Sequence, residues 1–200
     1  MKNQRILYVF DIDETLINWE YDLFDYEELD DVNRNNYGEQ RYATLLHRLE
    51  PRLFSEELME ELNVLDNVGL ALFTTGTESY AYHIKNSFFP HIDFSFIYGS
   101  QNVSYVKNTK CKNIAQFTRY GYDINNIILI DDKQRNGFLY PEHFIKVKRS
   151  SYYEDRNLFD KELYSLKNSL IKIAKKSISK NVNAVDILRK MKNNLLTFMK

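Results

Sequence analysis

The chain has 200 residues, of which 44% are hydrophobic, and its 27 basic residues nearly balance its 28 acidic residues. This length fits one domain with a full hydrophobic core, and the balanced charge excludes a strongly basic protein that binds nucleic acid or membranes through its net charge. A single cysteine, Cys111, excludes an internal disulfide and is interpreted as an inert thiol in a reducing compartment.

Residues 1–4 are polar and lead directly into an apolar run, which leaves no room for a signal peptide. No apolar run reaches the roughly 20 residues that a membrane-spanning helix needs. We therefore expect a soluble, intracellular protein, either cytoplasmic or nuclear.

Short apolar runs rich in β-branched and aromatic residues predict strands that are buried on both faces. They cover residues 6–10, 68–73, 94–98, 127–130 and 144–147. Helical periodicity predicts helices over residues 42–49, 55–65, 78–89, 112–120, 160–176 and 183–199. The alternation of strands and helices predicts an α/β fold with right-handed crossovers, in which a central parallel sheet carries helices on both faces.

Local signals refine these helices. Ser55 is predicted as an N-cap, while Pro90 and Gly121 are predicted to end helices. The polar segment 99–110 is predicted as a loop. The positions predicted to face the core are Tyr80, Ile84, Phe88, Phe89, Ile114, Phe117, Tyr120, Leu163, Leu166, Leu170, Ile173, Ala174, Val185, Leu188, Lys192 and Leu195.

The segment 18–42 alternates aromatic and acidic residues and carries turn signals near its end, which favour an irregular loop or hairpin. It has two interpretations. Either it forms a lip that contacts the substrate, or it covers part of the sheet with its aromatic rings while its acids face water.

Polar side chains follow three of the predicted strands at the point where each strand ends. Asp11, Asp13 and Thr15 follow the first strand. The second is followed by Thr74-Thr75-Gly76, and the strand over 127–130 by Asp131-Asp132, with Asn136 four residues beyond. Because ligands bind at the carboxyl ends of strands in open α/β sheets, we expect these three groups to converge on one crevice.

This combination suits phosphoryl transfer assisted by Mg²⁺. Asp11 is the candidate nucleophile, and Asp13 can protonate the leaving group and later accept a proton from water. Thr74 and the amides of Thr75 and Gly76 can bind phosphate oxygens. Asp131 and Asp132 complete an oxygen-rich shell for Mg²⁺. The mechanism also requires a fixed cation to neutralise the transferring phosphoryl group.

The motifs DIDETL (11–16), LFT (72–74), a lysine that opens a helix, and IILIDD (127–132) with Asn136 resemble the four motifs of the haloacid dehalogenase-like (HAD) phosphatases. Within this superfamily the chain most resembles the group of RNA polymerase II C-terminal-domain phosphatases and NLI-interacting-factor-like proteins. The LFTTG turn followed by Tyr80-Ala81, and an Asp-x-Glu-Leu helix at 160–163, carry that closer likeness. The resemblance covers residues 5–175.

The resemblance implies a Rossmann-like fold and Mg²⁺-dependent hydrolysis of phosphomonoesters through an aspartyl-phosphate. In this reading Asp11 is the nucleophile, Asp13 the acid/base and Thr74 a phosphate ligand. The metal site would comprise Asp11, Asp13, Asp131 and Asp132. The motif lysine maps best onto Lys112, with Lys107 and Lys110 as competitors because the intervening segment differs in length.

The segment after the first motif departs from the small members of the family, since it is acidic where they carry an aromatic-lined insertion that reads a peptide. We expect a phosphatase domain over residues 1–176 with a small insertion over about 18–66 in place of a large cap, followed by a basic C-terminal helix over 177–200. An open site of this kind suits a macromolecular phosphoester. The leading prediction is a phosphoprotein (Ser/Thr) phosphatase.

Two alternatives stay open at this point. One is a nucleic acid 3′-phosphatase or nucleotidase of the same fold. The other is a non-catalytic scaffold, against which the intact Asp11, Asp13, Thr74 and Asp131 argue. The C-terminal helix either docks a partner or an anionic surface, or simply packs on the domain. The four histidines lack ligand spacing and are interpreted as structural or exposed.

Overall fold

A computed structural model describes residues 5–19, 49–150 and 160–198 of the chain. The described strands are β1 (Ile6–Phe10), β2 (Ile17–Trp19), β3 (Leu49–Pro51), β4 (Val68–Phe73), β5 (Phe94–Tyr98), β6 (Ser104–Val106), β7 (Thr109–Cys111), β8 (Ile127–Asp131) and β9 (Phe144–Lys146). The described α-helices are α1 (Ser55–Asn63), α2 (Glu78–Phe88), α3 (Glu162–Lys180) and α4 (Ala184–Phe198). A 3₁₀-helix, Ile114–Tyr120, stands between β7 and β8.

The central sheet has five parallel strands in the order β5-β4-β1-β8-β9, which confirms the predicted α/β fold. The chain starts in the middle at β1, moves outward through β4 and β5, and then returns to the other side of β1 as β8. This reversal creates a topological switch point beside the carboxyl end of β1, where α/β proteins place their ligands. Phe10 lies opposite both Leu72 and Ile130, so the three motif-bearing strands end at the same level.

The two faces of the sheet are covered differently. Ile6, Tyr8 and Phe10 belong to the larger core cluster, to which all four described α-helices contribute. Leu7 and Val9 point the other way and pack in a smaller cluster with the 3₁₀-helix. All five residues of β1 are inaccessible to solvent, so this strand is the centre of both cores.

The two C-terminal helices belong to the larger core. The stripe predicted for the first of them is buried in α3, and the Tyr8 hydroxyl donates a hydrogen bond to the Leu170 carbonyl of that helix at 2.7 Å. Helix α4 contributes Ala184, Val185, Ile187 and Leu188 to the same cluster. The predicted boundary at residue 177 therefore falls inside α3. No described helix combines the length and apolar character of a membrane span.

Several local predictions were wrong. Residues 104–111 form the β6–β7 hairpin and not a loop. Phe54, in the left-handed region at φ 67°, occupies the N-cap position predicted for Ser55, whose buried hydroxyl has no partner among the described residues. Tyr120, predicted to face the core, is 50% exposed at the last residue of the 3₁₀-helix, although its spacing places it on the same face as the buried Ile114 and Phe117. Gly121 ends that helix as predicted, with φ 88°. The helix predicted over 42–49 and most of the acidic segment 18–42 lie outside the described residues.

Arg52 is a buried cation behind the first motif, with 2% of its surface exposed. Its Nε donates to Asp160 Oδ2 at 2.9 Å, and its Nη1 donates to the Lys148 carbonyl at 2.9 Å. Longer contacts reach the carbonyls of Glu14 and Thr15, at 3.5 and 3.4 Å. Arg52 thus joins the loop after β1, the chain after β9 and the start of α3.

We expect Arg52→Ala to lower the free energy of unfolding by about 3 kcal/mol, because it leaves a carboxylate and a carbonyl without their buried partner. Urea denaturation measures this loss. Leu53→Ala, at the exposed neighbouring position, serves as the control and should cost less than about 1 kcal/mol. Equal losses for the two variants would contradict the role assigned to Arg52.

Candidate active site

The buried Lys112 side chain joins the ends of the two central strands. Asp11 follows β1 and Asp131 ends β8, and because these strands are hydrogen-bonded neighbours their carboxylates lie close together. Lys112 Nζ donates to Asp11 Oδ1 at 2.5 Å and to Asp131 Oδ2 at 2.6 Å. None of the three residues has more than 3% of its surface exposed. The result is a buried lysine that bridges two buried acids.

The β6–β7 hairpin delivers this lysine, since Lys112 comes directly after β7 and its amide donates to the Asn136 carbonyl at 3.2 Å. The two competing lysines lie elsewhere. Lys107 occupies the turn of the hairpin and Lys110 lies on β7, and both are exposed. Of the three lysines weighed from the sequence, Lys112 is the one in contact with the acids.

Burial and like charges shape the titration of this group. Burial raises the pKa of Asp11 well above its ordinary value and the Asp131 charge raises it further, against the lowering effect of Lys112. For Lys112, burial alone would lower the pKa, but Asp11 and Asp131 outweigh it, so the pKa of the ammonium lies above its usual value. Lys112 is therefore a permanent cation at the centre of the site.

A second set of contacts holds Asp13. Tyr80, on the first turn of α2, donates its hydroxyl to Asp13 Oδ1 at 2.5 Å. The Thr74 hydroxyl lies 3.4 Å from Asp13 Oδ2 and accepts a hydrogen bond from the Gly76 amide at 3.0 Å. Thr75 is partly exposed beside them. The structure thus brings the predicted phosphate-binding turn next to Asp13.

Three carboxylates can hold a cation together. One oxygen each of Asp11, Asp131 and Asp132 lies within 4.8 Å of the others. Asp132 Oδ1 is buried and has no hydrogen-bond partner in the described part of the chain, as expected for an atom reserved for a ligand. Three buried carboxylates fit a hard divalent cation such as Mg²⁺. Asp13, predicted as a fourth metal ligand, lies outside this group of carboxylates.

Neighbouring side chains fix these acids. Asn136 donates from Nδ2 to both oxygens of Asp131, at 2.9 and 2.8 Å, and the amide of Lys133 adds a third bond at 2.8 Å. The Thr15 hydroxyl approaches Asp11 Oδ2 at 3.4 Å. The described histidines His83, His91 and His143 contribute no ligand to the carboxylate group.

Sequence reasoning did not assign Tyr80 to the site. The helical stripe indicated a core residue, and Tyr80 is indeed 8% exposed, but its hydroxyl reaches Asp13, 67 positions away. The only sequence signal was the similarity of the Tyr80-Ala81 pair to the family. Arg52 carried no signal in the sequence.

Comparisons with known proteins identify the family of the chain. The profile of the NLI interacting factor-like phosphatase family matches residues 6–183, a range that includes every site residue named above. A search of curated protein sequences returned no significant match.

Solved structures share the fold at low sequence identity. The RNA polymerase II CTD phosphatase Fcp1 of fission yeast, bound to beryllium fluoride, superposes with a TM-score of 0.61 at 15% identity, covering 95% of this chain and 71% of that one. A HAD-superfamily hydrolase from Ehrlichia chaffeensis gives a TM-score of 0.51 at 17% identity, covering 84% and 97%. A haloacid dehalogenase-like hydrolase from Streptococcus pneumoniae gives 0.52 at 17% identity, covering 84% and 99%.

The pKa of Asp132 predicts how stability depends on pH and metal. Burial, opposed by Lys133 and reinforced by Asp131, raises this pKa from 3.8 to about 6. At a pH between these two pKa values, Asp132 keeps its proton in the folded chain but loses it in the unfolded chain. Without metal, the melting temperature should therefore fall as pH rises from about 4 to about 6. Mg²⁺ binds the ionised form and should raise the melting temperature more at pH 7.5 than at pH 5.

Differential scanning fluorimetry with and without Mg²⁺ measures both effects. Asp132→Asn should reduce the rise in melting temperature caused by Mg²⁺. Asp93→Asn makes the same change at an exposed residue directly before β5 and should leave that rise intact. A rise of equal size at both pH values would contradict metal binding by these carboxylates.

Proposed function

Because the chain belongs to the NLI interacting factor-like phosphatase family, we propose that it hydrolyses phosphomonoesters with Mg²⁺ and through an aspartyl-phosphate at Asp11. The substrate we propose is a phosphorylated Ser or Thr of a protein. The observation that carries this proposal is the bridge of Lys112 between Asp11 and Asp131, with Asp13 held beside them by Tyr80.

The first half-reaction transfers the phosphoryl group to the chain. An oxygen of Asp11 attacks the phosphorus, a bond forms between them, and the bond from phosphorus to the substrate oxygen breaks. Asp13 gives its proton to that departing oxygen, which leaves as an alcohol. Lys112 stabilises the negative charge that spreads over the transferring group, because it is a fixed cation buried beside the nucleophile. Thr74 and the turn amides orient the phosphate oxygens.

The second half-reaction restores Asp11. Asp13, now ionised, takes a proton from a water molecule, and the water oxygen attacks the phosphorus of the aspartyl-phosphate. The bond from phosphorus to the Asp11 oxygen breaks and inorganic phosphate leaves. A bound Mg²⁺, for which Asp11, Asp131 and Asp132 supply the carboxylates, would neutralise the charge of the phosphoryl oxygens and the repulsion among these acids.

A protein substrate is favoured by the family and by the likeness to Fcp1, which is by name a phosphatase of an RNA polymerase domain. From these relatives we infer for this chain only the class of substrate, a phosphorylated protein segment. Parallel assays with phosphopeptides and with 3′-phosphorylated oligonucleotides distinguish a protein phosphatase from a nucleic acid 3′-phosphatase. We expect efficient hydrolysis of the phosphopeptides only.

The test measures hydrolysis of an aryl phosphate by the wild-type chain and by Asp11→Asn. Each protein is assayed once with Mg²⁺ and once with a chelator. We expect hydrolysis only by the wild type with Mg²⁺, because the amide is a poor nucleophile and cannot form the acyl phosphate. A phosphorylated chain trapped by acid quench, and absent from Asp11→Asn, would support the covalent step.

Asp93→Asn is the matched control, since it makes the same chemical change at an exposed position. It should keep full activity, and an unchanged melting temperature shows that each variant is folded. Hydrolysis by Asp11→Asn at the wild-type rate would rule out Asp11 as nucleophile. A folded, metal-loaded wild type that hydrolyses no substrate would favour a scaffold.

A second test concerns Tyr80, which fixes the orientation of the general acid. Tyr80→Phe should slow hydrolysis of an alkyl phosphate such as phosphoserine by about tenfold, because a misplaced acid protonates a poor leaving group slowly. An aryl phosphate with an acidic phenol needs little protonation and should lose less than about threefold. Steady-state kcat for both substrates measures the difference.

Tyr82→Phe removes the same hydroxyl from an exposed position of α2 and should affect neither substrate. If Tyr80→Phe slows both substrates by the same factor, Tyr80 supports the fold of the site and does not orient Asp13.

A further inference from the structure

The β6–β7 hairpin carries an exposed aromatic and basic surface directly before the buried lysine of the site. Tyr105 of β6 lies opposite Lys110 of β7, and directly opposed side chains of an antiparallel pair share one face. Tyr105 is 64% exposed, and Lys110 and the turn residue Lys107 are also exposed. We call these three residues the hairpin surface. Beside it, the segment Gln134–Gly137 packs against β7 and carries the exposed Arg135.

The three cations of this region are not balanced by nearby acids. The chain has no Asp or Glu between residues 94 and 122. Within the part of the chain that the structure describes, the side chains of Lys107, Lys110 and Arg135 form no ion pair and no hydrogen bond. Their charges are therefore available to an anion that arrives from outside.

The acids of the site are balanced by other cations. Lys112 bridges Asp11 and Asp131. The cations that lower the pKa of Asp132 are Lys133, first, and Lys112. The divalent cation that these carboxylates fit would balance the charge that remains. The positive charge of the hairpin is thus separate from the charge balance of the site.

The turn of the hairpin carries a lysine where its backbone favours other residues. Lys107 and Asn108 have φ values of 46° and 63°, and a two-residue turn with positive φ at both positions favours Asn and Gly. A lysine is less favourable than an asparagine there, because only Gly, Asn and Asp adopt the left-handed conformation readily. The local structure gives no reason for a lysine at this position, whereas a ligand for its exposed ammonium group does.

The hairpin is fixed at the end that lies nearest the site. The thiol of the buried Cys111 donates across the two strands to the Ser104 carbonyl at 3.5 Å. The Lys112 amide donates to the Asn136 carbonyl at 3.2 Å, and the Asn136 side chain binds Asp131. The hairpin surface is therefore held at a constant position relative to the proposed catalytic residues.

The distance along the hairpin sets the spacing of a bound ligand. A strand rises about 3.3 Å per residue, so the backbone of Lys110 lies at most about 7 Å from that of Lys112. By the same measure, Lys107 lies at most about 17 Å away. An extended peptide spans these distances with about two and about five residues.

We propose that the hairpin surface and Arg135 bind an acidic segment of the phosphoprotein substrate, about two to five residues from the phosphoresidue that is hydrolysed. This inference rests on the proposed function and deepens it, since it names a sequence preference within phosphoproteins. The cations pair with the carboxylates or phosphates of that segment. Tyr105 contacts its apolar atoms with an amphipathic ring.

A protein segment fits this surface better than a nucleic acid strand. Proteins bind single strands through several aromatic side chains, on which successive bases stack, along a groove lined by cations. The two strands of the hairpin present one ring, that of Tyr105, and their other exposed or partly exposed residues have no aromatic side chain. We therefore assign a peptide ligand, and oligonucleotides enter the experiment as the competing outcome.

The experiment compares kcat/KM for one phosphoserine peptide with neutral flanks and for versions with three glutamates placed two to five residues before or after the phosphoserine. The wild type should prefer the better anionic peptide over the neutral one by about tenfold, because three exposed ion pairs that each contribute about twofold multiply. The triple variant Lys107→Asn, Lys110→Gln, Arg135→Gln should reduce this preference to less than about twofold.

Single variants separate a loss of binding from a loss of structure. Lys107→Asn suits the turn better than the lysine does, so it should keep the melting temperature while the preference falls by about twofold. Tyr105→Ser should raise KM for the anionic peptide by about threefold. Lys175→Gln removes one exposed charge from α3 and should change nothing. Every variant should hydrolyse an aryl phosphate at the wild-type rate, which shows that Lys112 is in place.

Binding of the same labelled peptides to Asp11→Asn, followed by fluorescence anisotropy, tests the hairpin surface without turnover. If no peptide is hydrolysed but the anionic peptide binds through the three cations, the proposed function fails and the docking surface stands. Equal kcat/KM and equal binding for neutral and anionic peptides would overturn the docking surface, as would a preference that survives in the triple variant. A preference for 3′-phosphorylated oligonucleotides that depends on the same cations would overturn the assignment to peptides.

Discussion

The site depends on one interaction, the bridge of Lys112 between Asp11 and Asp131. Asp11 directly follows β1 and Asp131 ends the neighbouring parallel strand β8, so like charges lie together in a medium where their repulsion is poorly screened. Lys112 reduces that repulsion with bonds of 2.5 and 2.6 Å, but one cation cannot balance three buried carboxylates. The remaining negative charge creates the demand for a divalent cation, and the phosphatase chemistry that we propose uses that same cation.

Buried supports behind the site keep these charges in place. Arg52 joins the first motif to the chain after β9 and to Asp160, and its contact helps keep the pKa of Asp160 below the ordinary value although burial would raise it. Lys167 plays a similar part farther away, where it joins α3 to Glu57 and Glu61 of α1. Because Arg52 and its partner Asp160 are largely shielded from solvent, the loop after β1 has little freedom to move away from the chain after β9. A site with strong internal repulsion needs such rigidity to keep its geometry before metal binds.

The sequence predicted the parts of the fold that depend on short-range patterns. Apolar runs located the five strands of the sheet, and three polar strand ends identified the acids and Thr74. The β6–β7 hairpin was missed because its turn is Lys107-Asn108, with φ values of 46° and 63°, whereas sequence signals for such turns depend on glycine. Tyr80 and Arg52 were missed because their partners lie far away in sequence, and only tertiary packing brings them together.

The instability of the metal-free site and its proposed activity have the same physical origin. A carboxylate whose pKa is raised to about 6 by burial and by neighbouring acids destabilises the folded chain at neutral pH, so selection for stability alone would replace Asp132 with a neutral residue. Its oxygen that lacks a partner would be equally costly in a scaffold. Both costs are offset when a cation enters, because the negative field of the carboxylates binds it, and its charge, together with that of Lys112, then attracts the anionic phosphoryl group. The unfavourable charge is thus a physical argument that the site is built to bind a cation.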